Sequence, residues 1–277
     1  MVGWRCIAVW SLQGGVGKST LSASLALEAA ERRLPTLLTG LGAPDVLPLR
    51  LGFDRPAPNL LDWVADPTPE GLRLAVRQYD VLDVLAGFPD QAALDRYLPD
   101  AMSPATGLPA LANTAAHAGY AVVVLDVSAP ELAAPAIAAA NTLLIVAPAT
   151  PDGLLAAREA TRLAHQAMAG RHAAPLSGIH LVLNRVRDSQ LGPEEVMRSL
   201  GQMLEAPPPL AAVIPDDPRV DVARVQFRPA YAFSEPLRQA ARTLGDLLFA
   251  PLPASSTATR PARPARVWRF GPFRIRR

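Results

Sequence analysis

The sequence is poor in cysteine and in lysine. Cys6 is the only cysteine in 277 residues, so an intrachain disulfide and a cluster of cysteine metal ligands are both excluded. The four histidines have neither HxxxH spacing nor acidic neighbours in a ligand pattern, which favours ordinary core or surface roles for them. Lysine occurs once, as Lys18, and all the other basic residues are arginine.

Long apolar runs are also absent. No stretch of 18 consecutive apolar residues occurs, and the alanine-rich segment 129–149 is interrupted by Glu131, Asn141 and several prolines. The N-terminal apolar run carries a single arginine and stops at the glycines before Lys18, which is not the pattern of a secretory signal peptide. We therefore expect a soluble, cytoplasmic protein.

Charge is distributed unevenly along the chain. Residues 251–277 contain seven arginines and no acidic residue. Without these seven, 20 of the 27 basic residues remain against 25 acidic ones, a net charge of −5, whereas the whole chain carries +2. A mildly acidic body disfavours a globular surface that neutralises nucleic-acid phosphates, although the basic segment could contact them.

Short apolar runs alternate with helix-forming segments over residues 1–250, which we expect to form one domain. Strands are predicted at 6–11, 35–40, 80–87, 120–127, 141–148, 178–186 and 210–215. Helices are predicted at 19–33, 59–64, 69–79, 92–98, 152–168, 193–204 and 234–249. This alternation indicates an α/β fold with a mostly parallel, twisted sheet of about seven strands and helices on both faces. Residues 251–277 are predicted to be a disordered tail, because 251–266 are rich in Pro, Ala, Ser and Thr.

A glycine-rich turn directly follows the first predicted strand and leads into a helix. Glycine lets main-chain N–H groups turn toward phosphate oxygens, and the helix N-terminus adds partial positive charge. Lys18 would contact the β- and γ-phosphates, Ser19 would ligate Mg²⁺, and Thr20 would help to hold the α-phosphate. A compact ammonium fits between two phosphates where a planar guanidinium does not. This agrees with the presence of lysine at position 18 in a chain whose other basic residues are all arginine. The predicted nucleotide-binding loop comprises Gln13, Gly14, Gly15, Val16, Gly17, Lys18, Ser19 and Thr20.

The loop departs from the usual GxxxxGK[ST] pattern, since Leu12 occupies the first glycine position. It resembles the deviant GGxGK[ST] loop of the MinD/ParA superfamily of P-loop ATPases, and the resemblance covers residues 5–250. Three more segments occur in that family's order: YAVVVLDVSAP at 120–130, VLNRV at 182–186, and an IP-x-D segment from Ile214. The resemblance implies a P-loop NTPase with ATP and Mg²⁺ as cofactors and a nucleotide-dependent homodimer.

The same resemblance implies site residues outside the loop. Asp126 would hold a water bound to Mg²⁺. Asn184, followed by Arg185, would hydrogen-bond the edge of adenine, and Pro215 and Asp216 would lie near the adenine and ribose.

Two hydrolytic features of the family are missing here. Gln13 stands where a signature lysine reaches the phosphates of the partner subunit, and an amide cannot supply that charge. Gly40 and Gly42 align with two carboxylates that end the family's second strand. Asp45 is either a substitute for them or a turn residue beside Pro44. We therefore expect ATP–Mg²⁺ binding with slow or absent hydrolysis.

The resemblance leaves three functions open. Atypical loops without switch carboxylates are found in the CpaE/TadZ-like branch, which localises the Flp/Tad pilus secretion machinery, so the main hypothesis is a localisation or assembly factor. The second is an active ATPase that cycles on a membrane or nucleoid, with Arg5, Arg185 or Arg187 in place of the lysine. The third is a scaffold whose loop binds no nucleotide.

The last eleven residues, VWRFGPFRIRR at 267–277, alternate apolar side chains with arginine. Gly271 and Pro272 disfavour one continuous helix, whereas Trp, Phe and Arg together suit an anionic membrane interface. Peripheral contact with the inner face of the membrane, or docking on a protein partner, is the main hypothesis for this segment. Contact with nucleic acid and no specific role are the alternatives.

Overall fold

The computed structural model describes residues 4–53, 58–79, 82–169, 178–249 and 252. Eight strands occur in these residues: β1 (Arg5–Trp10), β2 (Thr36–Gly40), β3 (Arg77–Tyr79), β4 (Leu82–Leu85), β5 (Val122–Asp126), β6 (Thr142–Ala147), β7 (Gly178–Val186) and β8 (Leu210–Pro215). They form one sheet in the order β3-β4-β2-β5-β1-β6-β7-β8. The β3–β4 pair is antiparallel, and the other pairs are parallel.

Helices cover both faces of this sheet. In the described residues they are α1 (Lys18–Glu31), α2 (Leu47–Arg50), α3 (Leu60–Ala65), α4 (Pro69–Ala75), α5 (Gln91–Tyr97), α6 (Leu108–His117), α7 (Ala133–Ala139), α8 (Pro151–Ala169), α9 (Pro193–Met203), α10 (Pro218–Val225) and α11 (Glu235–Phe249). One apolar core joins the sheet to α1, α2 and α11, and the other joins it to α3 through α9. The predicted α/β fold, with a mostly parallel sheet between two helical layers, is confirmed.

The central strand β1 shows why its sequence is a continuous apolar run. Cys6, Ala8 and Trp10 point into the core under α3–α9, whereas Ile7 and Val9 point into the core under α1 and α11. Successive side chains of a strand alternate between faces, and both faces of this strand are covered. An alternating polar pattern would therefore have placed polar groups in one of the two cores.

The structure differs from the sequence prediction at residues 69–79. The predicted helix ends at Ala75, and Arg77–Tyr79 form the antiparallel edge strand β3 instead, so the sheet has eight strands and not about seven. Pairing with β4 is a tertiary contact that outweighs the weak helical preference of a segment with Val76 and Tyr79 at its end. Helices α2, α6, α7 and α10 were also not predicted.

The predicted tail, 251–277, lies outside the described part of the chain apart from Leu252, which is not free but packs in the core under α1 and α11. The contact hypotheses for 267–277 stay predictions. None of the helices in the described residues is long and apolar enough to cross a membrane.

Candidate functional site

The glycine-rich loop lies at the carboxyl edge of the sheet, between β1 and α1. Gly15 has φ +73° and Gly17 has φ +98°, a left-handed conformation that glycine adopts without steric cost. A Cβ atom on Gly17 would lie 2.2 Å from Nδ2 of Asn184, so the close approach of β7 also requires glycine here. Helix α1 begins directly after Gly17, and no side chain caps its first N–H groups. Its N-terminus is therefore open to an anion.

Lys18 folds back over this loop. Its Nζ donates a hydrogen bond to the main-chain oxygen of Gln13 at 3.0 Å. Burial lowers the pKa of Lys18, and the nearby charge of Asp126 acts in the opposite direction. The ammonium is thus held at the loop, partly desolvated, with a main-chain oxygen as its hydrogen-bond partner.

Asp126 ends β5 beside the loop and is almost completely buried. Ser22 Oγ lies 3.1 Å from its Oδ1, and Ser128 Oγ donates to its Oδ2 at 3.2 Å. Ser128 Oγ is in turn 3.3 Å from Ser19 Oγ. Burial raises the pKa of Asp126, although hydrogen bonds from Ser19 and Ser22 oppose the shift. This group of hydroxyl and carboxylate oxygens fits Mg²⁺, which prefers oxygen ligands and takes few of them from the protein.

The ends of β7 and β8 form the other wall of the site. Asn184 Nδ2 donates to the main-chain oxygen of Val16 at 2.7 Å and so joins β7 to the loop. Arg185 Nε contacts Asp216 Oδ1 at 3.2 Å, and Arg187 Nε contacts Asp216 Oδ2 at 2.6 Å. Although desolvation works against it, hydrogen bonds from the two arginines hold the pKa of Asp216 below its usual value. Asp216 therefore binds both guanidinium groups.

Two adjoining clefts open on either side of the loop. The first has a volume of about 300 Å³ and lies between the loop, α2, α10 and the end of β8, a size within the range of small-ligand sites. The second is more open and extends from Gln13 toward Arg187 and Gln190. The predicted binding residues all line one cleft or the other: Gln13, Gly14, Gly15, Val16, Gly17, Lys18, Ser19, Thr20, Asn184, Arg185, Pro215 and Asp216. Asp126 lies just behind Ser128, beneath the first cleft.

Comparison with solved structures identifies the fold. MinD from Pyrococcus horikoshii OT3, complexed with Mg-ADP, is similar to this chain, with 22% sequence identity and a TM-score of 0.68. The match covers 88% of this chain and 95% of that chain. A ParA family ATPase from Chlorobium tepidum TLS is similar as well, with 18% identity and a TM-score of 0.71. That match covers 88% of this chain and 98% of that chain. This chain has the MinD/ParA fold. The MinC:MinD complex of Aquifex aeolicus is also similar, with 18% identity, a TM-score of 0.66, and coverage of 87% and 95%. No protein-family model and no curated protein sequence matches the chain.

The arginines considered as substitutes for the signature lysine of MinD/ParA proteins lie in different places. The prediction for Arg5 is wrong: it starts β1 at the opposite edge of the sheet, and its Nε donates to the main-chain oxygen of Leu248 at 3.1 Å. Arg185 and Arg187 lie beside the loop but are both paired with Asp216. Gln13 itself has a buried Oε1 that lacks a hydrogen-bond partner among the described residues.

Asp45 hydrogen-bonds the main chain of its turn, and its carboxylate also lies near the end of β2, beside Gly40. Oδ1 accepts from the N–H of Leu47 at 2.9 Å, and Oδ2 accepts from the N–H of Gly87 at 2.8 Å. Burial raises the pKa of Asp45 to about 6. An acid is thus present at this strand end, but main-chain donors occupy both of its oxygens.

The sequence interpretation missed the outer wall of the first cleft, because α2 and α10 were not predicted. For α10 a local signal exists, since Asp217 caps the helix by accepting from the N–H of Arg219 and Pro218 follows at the first helical position. A similar signal precedes α2, since Asp45 accepts from the N–H of Leu47 and Pro48 lies in the first turn. Arg50, the last residue of α2, donates through Nη1 to Oγ1 of Thr20 at 3.0 Å. The missed lining residues are Val46, Arg50, Ser128, Ile214, Asp217, Val220, Asp221, Arg224 and Leu237.

Proposed function

We propose that this protein is an ATP-binding member of the MinD/ParA superfamily that hydrolyses ATP slowly or not at all. One observation carries the proposal. The only lysine of the chain, Lys18, and the uncapped start of α1 share a cleft with Asn184 and Asp216, whereas position 13 holds an uncharged side chain.

Each wall of the cleft has a role in binding. Lys18 and the loop N–H groups would hold the phosphates, and Ser19 would ligate Mg²⁺, with Asp126 holding a water of that ion. Mg²⁺ supplies charge neutralisation of the phosphates when it is bound. Asn184, Arg185, Pro215 and Asp216 would surround the adenine and ribose. The Mg-ADP bound to the Pyrococcus MinD supports this assignment by analogy.

Slow turnover is supported at two places. Hydrolysis would need a positive charge at position 13 and a carboxylate that is free to position water at the end of β2. A cation directed at the transferred phosphoryl group is worth about a thousandfold or more in rate, and the amide of Gln13 supplies none. The oxygens of Asp45 are hydrogen-bonded to Leu47 and Gly87 and would have to leave them to position a water. Bound ATP would therefore persist as a structural ligand.

A persistent ligand can still control assembly. Binding to one conformation stabilises that conformation by mass action. The helices that line the cleft also expose large apolar side chains, which suit a protein interface: Val46, Leu49, Val222 and Val225. We propose that nucleotide binding prepares this surface for a second copy or a protein partner, and the MinC:MinD complex of Aquifex aeolicus supports a protein partner by analogy.

The cellular role is proposed from resemblance. A localisation or assembly factor, with the Flp/Tad pilus secretion machinery as partner, is supported by the atypical loop and by Gly40 and Gly42 at the end of β2. Peripheral contact with the inner face of the membrane through 267–277 extends the proposal. An ATPase that cycles on membrane or nucleoid is the second candidate, because Arg50 brings a cation into the cleft.

Isothermal titration and turnover measurements test the proposal together. Wild-type protein should bind ATP–Mg²⁺, and Lys18→Ala should weaken binding by about tenfold to a hundredfold, because it removes a charged contact. Arg162→Gln, on the exposed face of α8, is the control and should bind like the wild type. Steady-state hydrolysis at the rate of an active ATPase, abolished by Lys18→Ala, would favour the second candidate. Absence of any binding by the wild type would refute both.

A further inference from the structure

Three arginines line the first cleft, and they differ in how their charge is balanced. Arg185 is paired with Asp216, and Arg224 Nη2 is paired with Asp221 at 3.2 Å. Arg50 makes no ion pair with a carboxylate of the described residues. Thr20 is its hydrogen-bond partner there.

Arg50 reaches the phosphate loop from a different part of the chain. It ends α2, the short helix after β2, and its bond to Thr20 joins residues 30 positions apart. Thr20 lies in the first turn of α1, two residues after Lys18. Lys18 and Arg50 are both charge neighbours of Asp126. Two cations from separate elements therefore converge on the start of α1.

The surroundings of Arg50 are unfavourable for a charge without a counter-ion. Burial lowers the pKa of Arg50, and the charge of Arg224 acts in the same direction, whereas Asp126 and Asp45 act against it from a distance. Desolvating a cation without a direct partner costs free energy. An anion in the cleft would recover that cost, and phosphate oxygens match the planar donors of a guanidinium.

We propose that Arg50 binds the phosphate chain of the nucleotide within the same subunit and so adds, from α2, positive charge that strengthens nucleotide binding. The inference rests on the proposed function, since it requires a nucleotide in the cleft.

Calorimetric titration of ATP–Mg²⁺ into four proteins tests the inference: wild type, Arg50→Gln, Arg50→Lys and Arg162→Gln. Arg50→Gln should bind about tenfold more weakly, the usual effect of losing a charge-assisted hydrogen bond. The affinity of Arg50→Lys for ATP–Mg²⁺ should lie between those of Arg50→Gln and the wild type, because lysine keeps the charge and lacks the planar donors. Arg162→Gln makes the same charge change on the surface of α8 and should bind like the wild type.

A second readout separates phosphate binding from a structural role. The difference between wild type and Arg50→Gln should shrink when NaCl is raised from about 50 to about 500 mM, since salt screens a charge contact. Melting temperatures of the unliganded wild type and Arg50→Gln that agree within about 2 °C would show that the substitution leaves the fold intact. If Arg50→Gln fails to fold, a weaker affinity of Arg50→Lys than of the wild type supports the inference, and an equal affinity contradicts it.

The outcomes for the inference and for the proposed function are distinguishable. Wild-type binding of ATP together with unchanged or tighter binding by Arg50→Gln would overturn the inference and leave the proposed function standing. A loss in Arg50→Gln that is the same at all salt concentrations would also overturn it. Failure of the wild type to bind ATP would overturn both.

Discussion

The carboxylate of Asp45 fills the space that a side chain on Gly40 would occupy. An ideal Cβ built on Gly40 would lie 2.0 Å from Oδ2 of Asp45, well inside any permitted contact. Glycine at position 40 and aspartate at position 45 therefore depend on each other. The end of β2, which carries glycine, thus has the carboxylate of a residue five positions later beside it.

Gly40→Ala should destabilise the fold by about 2 to 4 kcal/mol, because the new methyl group would displace the carboxylate and break its bonds to Leu47 and Gly87. Gly42→Ala is the matched control. A Cβ there meets Ser128 Cβ at 3.4 Å, an ordinary contact, so the loss should stay below about 1 kcal/mol. Urea-induced unfolding of the two variants measures the difference, and equal losses would contradict the proposed displacement.

Asp45 should make stability depend on pH in an unusual direction. Because burial raises its pKa to about 6, the folded state binds the proton more tightly than the unfolded state. The free energy of unfolding then falls as pH rises from about 4 to 6, and the loss is complete above pH 6. The charge of Asp126 adds to this shift, and that of Arg50 opposes it.

Asp45→Asn lacks this titration and is the reference. We expect the stability of the wild type relative to Asp45→Asn to fall by about 2 kcal/mol between pH 4.5 and pH 7. Urea unfolding of both proteins at the two pH values measures it. A difference that is constant, or that rises with pH, would show that Asp45 is charged throughout.

Gly17→Ala should disrupt the phosphate loop. Alanine is strained at φ +98°, and its Cβ would lie 2.2 Å from the Asn184 amide that binds Val16. We expect a loss of about 2 to 3 kcal/mol in stability together with weaker ATP binding. Gly14→Ala is the control, since nothing lies within 4 Å of a Cβ there, and its stability should change by less than about 0.5 kcal/mol. Similar thermal unfolding of the two variants would argue against this geometry.

Gln13→Met should leave ATP affinity within about threefold of the wild type, because the amide supplies no charge to the phosphates. It should also raise stability by about 1 kcal/mol, since Oε1 of Gln13 is buried without a hydrogen-bond partner in the described residues. Gln190→Met is the matched control: Oε1 of Gln190 accepts from the N–H of Arg187 at 3.0 Å, so this change should destabilise by about 1 kcal/mol. If both substitutions destabilise equally, Gln13 has a partner in solution.

Much of the fold was predictable because its signals are local. The apolar run of β1, the glycines after it and the helix formers of α1 each act over a few residues, and together they predicted the loop that the structure contains. Parallel strands buried on both faces have nearly continuous apolar sequences, so the other central strands of the sheet could also be predicted from the sequence. At the edge of the sheet this signal is weak, and Arg77–Tyr79 was assigned to a helix.

The sequence by itself determined that Lys18 would stand at the start of a helix after a buried strand, since turn chemistry and helix entry depend on neighbouring residues. Only the tertiary structure decided that Asp45 would lie against Gly40, that Asp216 would bind both Arg185 and Arg187, and that Arg50 would reach Thr20. Apart from the first, these contacts join residues about 30 positions apart. All of them depend on how loops leave the sheet and pack on one another, for which short stretches of sequence carry no signal.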